Sequence, residues 1–188
     1  MPQLTHLTAS ALAVAAILLL PGCTGDEPIV LPSPESSTAP VFATDEEALA
    51  AAEAAYGEYL AASSKISSEE GSSADALREY VTDKYFTEVE ASVERFNNDG
   101  REQRGEPTFD SVTLQQFVDP FIEPVNIVVY LCVDVSATKF VDDKGNDQTP
   151  EGRAERVPLE VTFVGVDRTA SLLIDSSEAW TGEDFCVA

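Results

Sequence analysis

Imidazole is almost absent from this sequence: its single histidine, His6, lies near the start, and nothing after it carries another. That excludes Ser/His and Cys/His nucleophile pairs, imidazole general bases and histidine-dependent zinc sites from everything beyond residue 6. Sulfur is scarce as well. The three cysteines, Cys23, Cys132 and Cys186, fall short of a four-cysteine zinc centre. No resident cofactor or metal is expected, and any catalysis must come from carboxylates, Tyr, Lys or Arg. Positive charge is the third shortage, with 11 Lys and Arg against 34 Asp and Glu and a formal net charge of -23. Such a surface repels nucleic acid, whose binding needs cations to replace the counterions on phosphates. It keeps a domain soluble near anionic lipid and wall polymers, and leaves room for a basic partner or loosely held divalent cations.

A long apolar run is missing too. The longest stretch, Ala9 to Leu20 (ASALAVAAILLL), ends at Pro21-Gly22-Cys23 and is shorter than the roughly 20 residues a membrane-spanning helix takes. It has the length of a signal-peptide core, with small residues before the cut. The run Leu20-Pro21-Gly22-Cys23 resembles the lipobox of bacterial lipoproteins. The resemblance implies that residues 1–22 are removed and that Cys23 receives a diacylglyceryl group, whose two acyl chains suffice for stable anchoring. Two other readings are a signal peptide cut without lipidation and an ordinary buried helix with a chance cysteine. The tract that follows favours an anchor, because Pro28, Pro32, Pro34 and Pro40 stand among Ser, Thr, Glu and Asp. Residues 23–43 are expected to form a disordered tether, reaching roughly 60 Å if extended at about 3.1 Å per residue. The localisation that follows is the outer face of the bacterial cytoplasmic membrane.

From Thr44 the composition changes, and with 44% apolar residues in the chain a core can form. Residues 44–188 are read as one α+β domain. Thr44 and Glu47 have capping-box spacing ahead of a stripe made by Leu49, Ala52, Tyr56, Tyr59 and Leu60, so a helix is expected from there to about Ser63. Ser73 or Asp75 can cap a second helix carrying Leu77, Tyr80, Val81 and Tyr85. Thr87 with Glu90 repeats the box before Val89, Val93 and Phe96, with Gly100 as a stop. Three N-terminal helices are therefore expected.

Strand patterns follow. Val112 to Phe117 alternates modestly and ends before Pro120. Val125 to Val135 puts Ile127, Val129, Leu131 and Val133 on one face, with Asn126, Tyr130, Cys132 and Asp134 on the other. Val157 to Val166 and Ser171 to about Ser176 supply two more strands. Between them, Asp142 to Asp147 lacks the EF-hand order, because Gly145 stands too early, and is read as an exposed hairpin loop.

Helices first, then a sheet carrying Cys132-Val133-Asp134-Val135-Ser136, with Cys186 near the end, resembles the NTF2-like (cystatin-like α+β cone) domains of actinobacterial lipoproteins. The resemblance implies three helices packed on a curved antiparallel sheet of about four strands. A cystatin-type single helix on a sheet is the competing fold.

Outside the membrane Cys132 and Cys186 are in an oxidising milieu, which favours a bond between them over two separate buried thiols. Tyr56, Tyr59, Tyr80, Tyr130 and Trp180 are candidates to line a half-wet cavity, although helical spacing favours core packing over that role. Asp134 shares a strand face with Tyr130 and Cys132. On a concave face its pKa would rise and it would serve as a base, the role acids have in isomerases of the wider superfamily.

The expected function is a non-enzymatic cell-envelope lipoprotein domain that binds a partner protein or a small apolar ligand. One alternative is an isomerase- or hydrolase-like enzyme using Asp134 with a nearby Tyr. Another, by fold analogy, is an accessory subunit of a secretion or conjugation machine. A filled interior would favour a surface interaction, and a wide apolar cone around an isolated aspartate would favour chemistry.

Overall fold

The computed structural model describes residues 40–69, 71–119, 124–166 and 169–187. The expected signal peptide, the lipidation site Cys23 and most of the tether lie outside the described residues. Among those described, no helix is long and apolar enough to cross a membrane.

Helix α1 spans Asp45–Ser67, beginning at the expected box and running one turn further than expected. The Thr44 hydroxyl accepts from the Glu47 amide at 3.2 Å, while the Glu47 carboxylate accepts from the Ala43 amide at 2.8 Å. One orphan donor of the first turn and the amide just ahead of the cap are thus satisfied, and Asp45, Glu46 and Glu47 complement the positive end of the helix dipole. Ala48, Ala52 and Tyr56, each one turn apart, are buried against the sheet. The tether's expected end at residue 43 proves too late. Phe42 is buried and meets Phe117 edge to face at 6.0 Å, and the Val41 amide donates to an Asp119 carboxylate oxygen at 2.7 Å. This apolar pair joins the core, because a Val-Phe step has too much surface to leave in water.

The expectation of three helices is corrected to two. After α1 comes a single 3-10 turn, Ala74–Leu77, with Ser73 as its cap. Helix α2 then spans Asp83–Asn98, capped by Thr82. The segment Tyr80 to Thr82 cannot be helical because its backbone joins the border of the sheet. The Thr82 amide donates to the Ile174 carbonyl at 2.9 Å, and the Ile174 amide donates to the Tyr80 carbonyl at 2.9 Å. Tyr85, assigned to the second expected helix, sits in the first turn of α2, and Thr87 with Glu90 is helix interior.

Six strands follow among the described residues: β1 Glu102–Arg104, β2 Thr108–Val118, β3 Asn126–Asp134, β4 Lys139–Val141, β5 Arg156–Gly165 and β6 Leu172–Ala179. The four long ones form an antiparallel sheet ordered β2-β3-β5-β6, and β1 pairs with β4 separately. Register shifts interrupt β2 between Asp110 and Thr113 and again between Leu114 and Gln116, and Ser111 has φ 57°. Such bulges bend and twist a strand, and here they curve the sheet around α1. Gly105, between β1 and β2, has φ 80°, and a Cβ there would lie 2.1 Å from the Ala137 carbonyl oxygen. Only glycine fits that approach.

The alternation expected for β3 is observed. Ile127, Val129, Leu131 and Val133 lie in the core with Val161, Phe163 and Ile174 from the neighbouring strands. Ala48, Ala52, Tyr56, Leu77 and Phe86 close over them. These inner-face residues of β3, β5 and β6 are therefore covered by side chains of the helical layer.

Candidate functional site

The candidate pocket residues do not converge on one cavity. Tyr56 is 3% exposed, packed 5.0 Å from the Phe109 ring and 6.2 Å from Tyr59. Burial pushes its phenol well above the ordinary tyrosine value, with smaller pushes from Tyr59 and Tyr85. Tyr59 is raised in the same way, chiefly by burial, and hydrogen bonds link it to Tyr85 and Ser63. Both remain neutral phenols that fill and tie the inner layer. A hollow of about 300 Å³ between α1 and α2 is lined by Tyr59, Ser63, Tyr85, Glu88, Ser92 and Phe96. Tyr80 lines a different hollow, with Glu58, Lys65 and Glu79.

The remaining candidates lie on the opposite face of the sheet. Period-two alternation carries Tyr130, Cys132 and Asp134 of β3 to that outer face, as the sequence implies. Cys132 and Cys186 are bonded there, with Cα atoms 5.6 Å apart. The bond draws the chain after β6 back across the sheet and sets Phe185 against Tyr130, their rings 5.4 Å apart and nearly parallel. Trp180 packs on Tyr130 at 4.6 Å. Its indole N–H donates to the Glu183 carbonyl at 3.2 Å. Gly182 lies so close to the indole that a Cβ would meet it at 2.6 Å. These three rings, with Ser111, Thr113 and Glu183, line a hollow of about 380 Å³.

Asp134 is paired rather than isolated. It stands at the end of β3 opposite Arg156, and Arg156 Nη1 reaches its Oδ2 at 3.2 Å. Its Oδ1 accepts from the Ser136 hydroxyl at 2.6 Å and from the Ser136 amide at 2.9 Å. Those hydrogen bonds, helped by Arg156, hold the carboxyl below its ordinary pKa. The expectation of a raised pKa on a concave face is thereby overturned. Arg156 also grips Asp110 with both terminal nitrogens, at 2.9 and 2.5 Å, and donates from Nε to the Cys186 carbonyl at 3.0 Å. A guanidinium forked between two carboxylates and a carbonyl is a clamp on the disulfide-bonded end of the chain.

The Asp142 segment is a hairpin loop, as expected. Its Oδ1 accepts from the Lys144 and Asn146 amides at 2.9 and 2.8 Å, and its Oδ2 from the Asn146 side chain at 2.9 Å. These bonds fix the turn that Gly145 allows.

Two residues of the outer face escaped the sequence reading, Phe185 and Arg156. For Phe185 a signal existed. If Cys132 bonds Cys186, and Tyr130 shares a face with Cys132, the neighbour of Cys186 must fall beside Tyr130. Nothing local marks Arg156, whose partners lie 46 and 22 residues away.

No protein-family model matches the chain, and no curated protein matches it. The solved structures similar in shape include two fragments. The intermembrane space region of chloroplast protein ARC6 is 10% identical with a TM-score of 0.50, the match covering 70% of this chain and 95% of that one. A periplasmic fragment of TraM is 14% identical with a TM-score of 0.43, over 73% of this chain and 98% of that one. The first likeness supports the α+β fold and nothing further.

Proposed function

We propose that this chain is a lipid-anchored, non-enzymatic accessory domain with an NTF2-like fold, held through Cys23 on the outer face of the membrane, where it binds a partner protein. The observation that carries this reading is the filled inner face. Where a cone-shaped enzyme would keep an open cavity around an acid, Ile127, Val129, Leu131, Phe163 and Ile174 are covered by α1 and α2. Recognition then falls to the surface, and a protein partner is favoured over an apolar ligand held inside. The disulfide between Cys132 and Cys186 supports an oxidising compartment. The enzyme alternative loses its support with Asp134, which is ionised, hydrogen-bonded and turned away from the inner face.

Two measurements test the reading. The intact mass of the membrane-extracted chain should correspond to residues 23–188 plus acyl groups, and Cys23→Ala should move the chain out of the membrane fraction. A Cys23→Ala chain that stays in that fraction would count against the anchor. Photo-crosslinkers spread over the surface of the anchored chain should give discrete protein adducts in intact cells. Adducts from no position would overturn the binding role.

A further inference from the structure

The outer face of the sheet carries an aromatic cluster beside Glu160, Glu178 and Glu183, none of which is in an ion pair among the described residues. At one register across the sheet Thr113, Tyr130, Glu160 and Glu178 stand side by side. Glu160 and Glu178 are directly opposite each other, a like-charge pairing that costs stability in an antiparallel sheet. Glu160 hydrogen-bonds the Tyr130 phenol. Beside them Trp180, Phe185 and Tyr130 line the 380 Å³ hollow, and Glu183 stands at its rim.

Two cations near this face are committed elsewhere. Arg156, on the same face, is held by Asp110, Asp134 and the Cys186 carbonyl. Lys84, close enough to feel Glu178, is bonded to Asp175 at 2.6 Å. At other aromatic rings the chain supplies its own guanidinium: Arg78 lies over Phe86, and both Arg101 and Arg153 over Phe140. Among the described residues, no Lys or Arg lies over Tyr130, Trp180 or Phe185.

We propose that the hollow formed by Tyr130, Trp180 and Phe185, with Glu183 at its rim and Glu160 and Glu178 following Tyr130 across the sheet, receives a Lys or Arg side chain from a basic segment of a partner protein. This rests on the binding-domain reading above and names its surface. Two terms act together there. An aromatic wall attracts a cation through the ring quadrupole, and the flanking carboxylates supply the opposite charge. The surplus of acid over base across the chain then steers a basic segment toward it. A phosphorylated or acidic segment would be repelled.

Trp180 is the only tryptophan in the chain, so its fluorescence reports this hollow directly. Full-length protein purified from membranes is titrated with an oligo-arginine peptide, a neutral oligo-glutamine peptide and an oligo-glutamate peptide. Saturable change with arginine alone, weakened by salt, is expected. Tyr130→Leu should weaken binding about fivefold to thirtyfold. The double change Glu160→Gln with Glu178→Gln should also weaken it, whereas Glu53→Gln with Glu94→Gln, on exposed helix positions, should not. Equal loss from both charge-matched pairs would mean diffuse attraction and overturn the proposal. A response to phosphatidylcholine vesicles but not to the arginine peptide would overturn it as well. A flat titration with surface crosslinks intact would remove this hollow while leaving the binding role in place. Loss of the crosslinks themselves would sink the broader reading.

Discussion

Tyr130 and Phe185 stack with ring centroids 5.4 Å apart and planes 13° from parallel, because a bond two residues along β3 fixes the chain beside them. The cystine between Cys132 and Cys186 closes a separation of 54 residues. It makes the end of the chain part of the outer face.

Breaking that bond has a size that can be stated. In the chain-entropy account a loop of 54 residues is worth about 4 kcal/mol. Cys132→Ser should therefore lower the melting temperature by roughly 10 °C, read by circular dichroism with and without reductant. An unchanged transition would mean that the closure constrains nothing.

The two helix-cap readings predict opposite results. Thr82 caps α2, its hydroxyl accepting from the Tyr85 amide at 3.2 Å and bonding the Asp175 carboxylate at 2.9 Å. Thr82→Ala should cost about 1–2 kcal/mol. Thr87, expected to be a cap, is exposed within the helix, and Thr87→Ala should be neutral or slightly stabilising, since alanine is the better helix former. Urea unfolding separates the two, and a larger loss at Thr87 would restore the three-helix arrangement.

Tyr56 was a candidate for a cavity wall and is a core residue. Tyr56→Ala should destabilise by about 3–5 kcal/mol, the range for deleting a buried aromatic ring. A variant that melts like the parent would mean that the inner face is open after all.

Acid should loosen the Arg156 clamp. Asp110 is held below its ordinary value mainly by its hydrogen bond from Arg156, and Asp134 mainly by those from Ser136, with Arg156 adding to it. A carboxylate whose folded pKa is depressed contributes stability that is fully present above its unfolded value, about 3.9. That contribution is lost as pH falls through the folded value. The urea midpoint should be flat near neutrality and drop below about pH 4. Arg156→Gln should shallow the drop, and identical slopes in parent and variant would show that the clamp does not contribute.

Much of the fold could be read because its cues are local. The Thr44 cap, the apolar face of β3 and four long strands follow from spacing a few residues wide, and the inner packing follows from them. The middle of the helical region could not be read in this way. What prevents a helix at Tyr80 to Thr82 is a pairing with Ile174, more than ninety positions along the chain, and no window of sequence contains both partners. The short strands β1 and β4 escaped for a similar reason, since each has three residues and its order comes from the other. The outer face was half legible. Alternation placed Tyr130, Cys132 and Asp134 together, but Asp134 looked like an isolated acid only while Arg156 was out of sight.

The sheet's two margins are also unlike one another. On the β6 side Val81 makes a bridge to Ile174, whereas β2 keeps an outer margin broken by two shifts in register and by the left-handed Ser111. A straight, unbroken margin would be a template on which neighbouring copies stack into fibrils, and a kinked one offers no such ladder. Molecules at high concentration then collide without zipping into aggregates.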